Sequence, residues 1–177
     1  MAESIHVTLP DGSVKEVPRG TTPLEIARAI SPRLADAALV AKTNGDLIDL
    51  TRPLDRDAKL RILTEKDPEA LTVFRHSSAH LLAAAVLELF PETKLGHGPP
   101  TDTGFFYDFY RDKPFTPEDL EKIEKKMQEL RDRDLPYAQE FLPRDEGLER
   151  FRAEGDFMKC HFIEQFTASE ERISIYR

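Results

Sequence analysis

Two residue types are all but missing from this chain: it has one cysteine, Cys160, and no tryptophan. A single cysteine excludes a disulfide framework within the chain and points to a reducing, cytoplasmic setting. An export leader is missing too. Met1-Ala2-Glu3-Ser4 offers neither a basic segment nor an apolar one behind it. No apolar run approaches the length that spans a bilayer, so no membrane role is expected. Positive charge is in short supply, with 25 Lys and Arg against 33 Asp and Glu, a net charge of −8. Residues 1–63 carry as many basic as acidic side chains, so the excess acid lies wholly in residues 64–177. An acidic half excludes a broad, sequence-independent grip on a phosphate backbone, that of DNA included. A narrow pocket for one nucleotide end stays open. What remains is ordinary: 40% hydrophobic and 33% charged residues over 177 positions, enough for one domain or two small ones.

The most informative stretch is Arg75-His76-Ser77-Ser78-Ala79-His80, running on into Leu81-Leu82-Ala83-Ala84-Ala85-Val86-Leu87. Ala and Leu dominate, and no Gly or Pro intervenes before Pro91, so the stretch reads as helix. There His76 and His80 lie one turn apart on one face. Two imidazoles so placed can hold a metal or work on one substrate. Ser77 follows His76 where a zinc protease would carry Glu, so that pattern is absent. On spacing alone, two satisfied polar groups at a domain edge are the favoured reading. The helix is expected from Pro68, behind Asp67 as cap, to Phe90. Its core stripe runs through Leu71, Phe74, Ser78, Leu81, Leu82, Ala85 and Leu89, with the histidines flanking it, partly buried.

Ahead of it, Ile5, Val7 and Leu9 alternate with His6 and Thr8 as a half-buried strand. Pro10-Asp11-Gly12-Ser13 is a turn, and residues 14–17 return. Thr22, Pro23 and Glu25 make a capping box that opens a helix, and Ser31-Pro32 ends it. Residues 39–41 and 47–48 pair across the Asn44-Gly45 hairpin, and residues 59–63 form a last strand. A small sheet wrapped on one helix is expected.

Beyond the histidine helix, Gly96, Gly98 and Gly104 with Pro99 and Pro100 mark irregular backbone that can approach a ligand closely. The aromatic run from Phe105 to Phe109 reads as a strand. Thr116 caps an amphipathic helix with Leu120, Ile123, Met127 and Leu130 inward. A strand from Tyr137 to Leu142, a helix from Arg144 to Ala153, a helix capped by Asp156 and a strand at 173–176 complete the pattern. Cys160 reads as a small buried residue.

The Leu-Pro-Asp-Gly-Ser turn, Thr21-Thr22-Pro23-Leu24-Glu25-Ile26-Ala27 and the Asn-Gly hairpin resemble the β-grasp TGS domain. Behind them come His-Ser-Ser-Ala-His-Leu-Leu (76–82), Gly-x-Gly-Pro (96–99), Thr-Gly-Phe-Phe-Tyr-Asp-Phe (103–109) and Asp-Phe-Met-Lys (156–159). Together these resemble the N-terminal half of threonyl-tRNA synthetases. The resemblance implies an α+β chain: a β-grasp TGS domain at 1–64, then at 65–177 an editing domain with helices packed on an antiparallel sheet. It implies that the parent enzyme attaches threonine to its tRNA with ATP, Mg and a core zinc, as a cytoplasmic homodimer. The second domain would hydrolyse serine wrongly esterified to that tRNA. Serine lacks one methyl group of threonine, which a pocket senses at only about 1–3 kcal/mol, so a second sieve is needed.

By the same resemblance His76, His80 and Lys159 are the catalytic residues, and Gly96, Gly98 and Asp108 bind substrate. The family's Cys-x-x-x-His, inside Asp-x-Cys-Arg-Gly-Pro-His, is expected just past Arg177, so the second domain is expected to be cut short. His76 and His80 would then be half of a zinc site, and the chain alone is expected to bind metal weakly and to lack full activity. His97 stands where the family commonly has an aliphatic residue, as a polar group in the cleft or a plain loop residue. Two other readings are a TGS-containing RNA- or nucleotide-binding regulator without catalysis, and a free-standing trans-editing deacylase.

Overall fold

The structure, a computed structural model, describes residues 3–135 and 139–176. Its contacts divide the chain into two units, Met1–Arg75 and His76–Arg177.

In the first unit, Ile5 and Val7 are buried and His6 is exposed along β1 (Ser4–Thr8). The Asp11 carboxylate accepts from the Ser13 N–H at 2.9 Å, Gly12 takes a φ of 82°, and the chain returns as β2 (Val14–Pro18). The helix α1 (Pro23–Ile30) opens on a complete capping box. Thr22 Oγ1 accepts from the Glu25 N–H at 3.2 Å, and the Glu25 carboxylate accepts from the Thr22 N–H at 2.7 Å. Ser31-Pro32 does more than end this helix. Ser31 Oγ accepts from the Leu34 N–H at 3.1 Å and so caps a second helix, α2 (Pro32–Ala37), where the sequence predicts only the end of the first. β3 (Ala38–Thr43) and β4 (Asp46–Ile48) meet across Asn44 and Gly45, whose φ values of 53° and 106° fit a tight hairpin.

With β5 (Ala58–Thr64) the sheet runs β2-β1-β5-β3-β4. β1 and β5 are parallel and the other pairs antiparallel. One helix rests on this mixed sheet, over a core of Ile5, Val7, Ile26, Ala41, Leu54 and Leu60. That is a β-grasp arrangement.

The 22-residue helix α3 (Pro68–Leu89) carries the chain through the division. Before it, the Asp67 carboxylate accepts from the Thr64 N–H at 2.9 Å and pairs with Arg61. Within the first unit Ala70 packs with Val40 and Leu63. Within the second, Ala79, Ala83, Ala85 and Val86 are buried. The expected stripe is therefore rotated: Phe74 is 55% exposed, and alanines, which admit a close neighbour, face inward. The expectation about apolar length is also corrected, because α3 is long and apolar enough to cross a membrane by length and composition. Arg75, His76, Ser77, Ser78 and His80 sit in mid-helix, where lipid would penalise them, and both units bury alanines of this helix against protein.

In the second unit, α4 (Pro117–Asp132) also begins with a capping box, Thr116 with Asp119. Ile123 and Leu130 cluster with Ala85 and Val86, while Leu120, expected inward, is 58% exposed. The aromatic run does not extend as a strand. Only Phe109–Tyr110 (β7) pairs, with Lys94–Leu95 (β6), and Phe105 makes one isolated bridge to Pro100. Pro99 and Pro100 in the facing loop have no N–H to give to a ladder, and the glycines around them favour irregular backbone over strand.

A second antiparallel ladder joins β8 (Gln139–Pro143) to β9 (Arg172–Tyr176). The start of the expected strand, at Tyr137, lies outside the described residues. Against this ladder pack α5 (Arg144–Ala153) and α6 (Phe157–Phe166), through Leu142, Leu148, Cys160, Ile163 and Ile173. The chain as a whole is α+β.

Candidate functional site

The pair at the centre of α3 is formed by helical geometry alone. His76 and His80 stack with ring centroids 4.8 Å apart and planes 17° from parallel. Their environments differ. His76 is exposed, contrary to the expectation of partial burial, while His80 is half-buried. Burial pushes the His80 imidazole down to about 4, and the nearby charges of His76 and Lys159 push the same way. At neutral pH His80 is therefore uncharged and keeps a lone pair.

Lys159 enters from α6. Asp156 caps that helix by accepting from the Lys159 N–H at 3.1 Å, which fixes the first turn and the direction of the lysine. Burial lowers the Lys159 ammonium from its ordinary value, and the Asp156 carboxylate partly opposes this. Asp156 also acts on Tyr107, whose phenol is raised mainly by burial and then by that carboxylate. Tyr107 in turn lies over Gly98, where an added Cβ would stand 2.3 Å from its ring. The bare backbone at Gly98 is what lets the ring in.

The structure thus brings His76, His80, Lys159 and, through Tyr107, Gly98 into one neighbourhood. Gly96 and Asp108 stand next to Gly98 and Tyr107 in the chain and pair through the backbone. The Gly96 N–H donates to the Asp108 carbonyl at 2.8 Å, and the Asp108 N–H donates to the His97 carbonyl at 2.9 Å. Asp108 takes part through its backbone, and the residue is exposed. Sequence reading missed Tyr107, taken as one ring of a strand, and the second task of Asp156, taken as a cap alone. The Asp-x-x-Lys spacing was the available signal, because a cap and the residue it receives from lie three apart. Cys160 is buried, with Sγ 3.9 Å from the Leu148 carbonyl, as a small packing residue.

The histidine pair does not fit a zinc ion. A tetrahedral site needs in-plane lone pairs that converge about 2.0–2.1 Å from one point, and two near-parallel stacked rings aim theirs along separate planes. Among the described residues no three His, Cys, Asp or Glu side chains form a metal-binding group. The arrangement supplies instead a neutral base, a second imidazole and a cation beside one another.

Sequence kinship gives this geometry its setting. The family model for the TGS domain matches residues 5–64. The threonine-tRNA ligase of Acidobacterium capsulatum is 54% identical over 210 aligned positions, taking in 100% of this chain and 31% of that protein. Those of Hyphomonas neptunium and Rickettsia africae are 46% and 49% identical over 173 residues, 98% of this chain and 26% and 27% of theirs. The chain spans between a quarter and a third of the length of these curated relatives. The chain thus carries a TGS domain and is similar, from end to end, to the N-terminal region of threonine-tRNA ligases.

Proposed function

We propose that the second unit is a hydrolytic proofreading module that removes serine from the 3′ end of a threonine-specific tRNA. The observation that carries this reading is the uncharged, half-buried His80 stacked on His76 and within reach of the Lys159 charge. A water held by the neutral imidazole attacks the ester carbonyl, and His80 takes its proton. The oxyanion that forms is countered by Lys159. Collapse expels the ribose oxygen, which recovers a proton, and free serine and uncharged RNA leave. In this reading Gly96, Gly98 and Asp108, beside Tyr107, bind the substrate. No step passes through a metal.

Kinship supports the ligase setting; to it the proposal adds that the parent joins threonine to tRNA with ATP and Mg as a cytoplasmic homodimer, with this region as its editing part. The test is release of serine from seryl-tRNA, followed for this chain and for the longer protein. His80→Ala and Lys159→Ala are each expected to slow release by about 10²–10⁴-fold, the usual worth of a positioned acid-base group. Hydrolysis that persists at full rate in both variants overturns the assignment.

A further inference from the structure

One group of rings is left over by the proposed chemistry. His97 lies 5.7 Å from Phe162 and 6.1 Å from Phe166, and the two phenylalanines lie 5.8 Å apart. The planes of Phe166 stand only 18° and 17° from those of His97 and Phe162. His97 and Phe162 are tilted by 31° to each other, so Phe166, near-parallel to both and 69% exposed, with the exposed His97 beside it, is the ring most open to solvent. Both carriers are held. The His97 carbonyl accepts from the Asp108 N–H, and α6 packs against β6 beside the loop.

We propose that His97, Phe162 and Phe166 form a stacking surface for an unpaired nucleobase at the 3′ end of an RNA. The inference rests on the proofreading reading and adds to it a place for the bases near the ester. Lys159, Phe162 and Phe166 follow one another at spacings of three and four on α6, hence along one face. From Lys159 to Phe166 the helix rises about 10 Å, a nucleotide's reach from the ester. The charge distribution favours bases over phosphates as the handle. Residues 64–177 hold all the excess acid, which weakens any grip on the backbone, whereas stacking on a ring needs no charge. It is also tolerant of sequence, since every base has a π face.

The probe is a short RNA hairpin with an uncharged single-stranded 3′ tail, carrying 2-aminopurine at the last or the preceding position. This chain is expected to quench the probe in one of the two. Phe166→Ala, Phe166→Leu and His97→Ala are expected to weaken that binding about 5- to 100-fold, the range of one lost base stack. Leucine keeps the apolar surface but not the ring, so its loss separates stacking from greasy contact. Phe166→Trp keeps the ring, retains quenching, and supplies the only indole in the chain as a second reporter. Absence of quenching by the wild-type chain at both positions, or quenching by Phe166→Leu as strong as by the wild-type chain, overturns the proposal. Failure of the proofreading reading shows elsewhere, as ester hydrolysis indifferent to His80→Ala, with quenching unchanged.

Discussion

His80 sets the pH behaviour of the site. In the fold its imidazole resists protonation until about pH 4, whereas in an unfolded chain it takes a proton near 6.5. Between those values the unfolded chain binds more protons, so stability falls as pH drops through that window and is unaffected by this group above it. Melting temperature measured from pH 7 to pH 4 is expected to fall more steeply for the wild-type chain than for His80→Gln, which does not titrate. The same shift keeps the acidic limb of hydrolysis well below the usual histidine range. Asp156 can be dissected at this scale too. Asn caps a helix about as well as Asp but carries no charge. Asp156→Asn is therefore expected to leave stability within about 0.5 kcal/mol. It should lower the Lys159 titration further and bring the Tyr107 phenol back toward its ordinary value, both readable by NMR titration.

Three glycines mark where the chain packs too closely for a side chain, and a Cβ on Gly96 would stand 2.9 Å from both the Cβ and the carbonyl oxygen of Asp108. A Cβ on Gly98 would meet the Tyr107 ring at 2.3 Å, and one on Gly147 would meet Ile173 Cδ1 at 2.3 Å. Gly147→Ala makes the Ile173 side chain turn aside within its packed layer and is expected to cost about 1 kcal/mol of stability in chemical denaturation, with hydrolysis intact. Gly98→Ala displaces Tyr107 and is expected to impair hydrolysis with a smaller loss of stability. Elements of this kind were legible where a local rule decides them. Thr22 and Thr116 announce their helices, Asn44-Gly45 its hairpin, and the i, i+4 histidines their shared face. The rule failed where tertiary contact decides. α3 turns alanines inward because its neighbours lie close, so Phe74 and Leu120, plausible core residues by spacing, face water. The rings after Gly104 favour strand but find a partner at two positions only. The meeting of Lys159 with His80 joins helices some eighty residues apart, and only family resemblance hinted at it.

At the scale of the whole molecule, the TGS match and the first compact unit end at different places. The match stops at residue 64, while the unit runs to Arg75 and takes in the start of α3. Those first turns cover Val40 and Leu63 with Ala70, assisted by Val73. A fragment of residues 1–75 is therefore expected to melt above one of residues 1–64, in which Leu63 and Val40 lose their cover. Equal melting would show that the β-grasp sheet needs no helical lid.

The lone thiol extends such measurements to the other unit. Cys160 is sealed among Leu142, Leu148, Ile163 and Ile173, and no other sulfhydryl competes with it. The rate at which a thiol reagent labels the native protein thus counts how often that layer comes apart, with no engineered reporter. Any RNA end that holds α6 in place should slow the labelling in proportion to its occupancy.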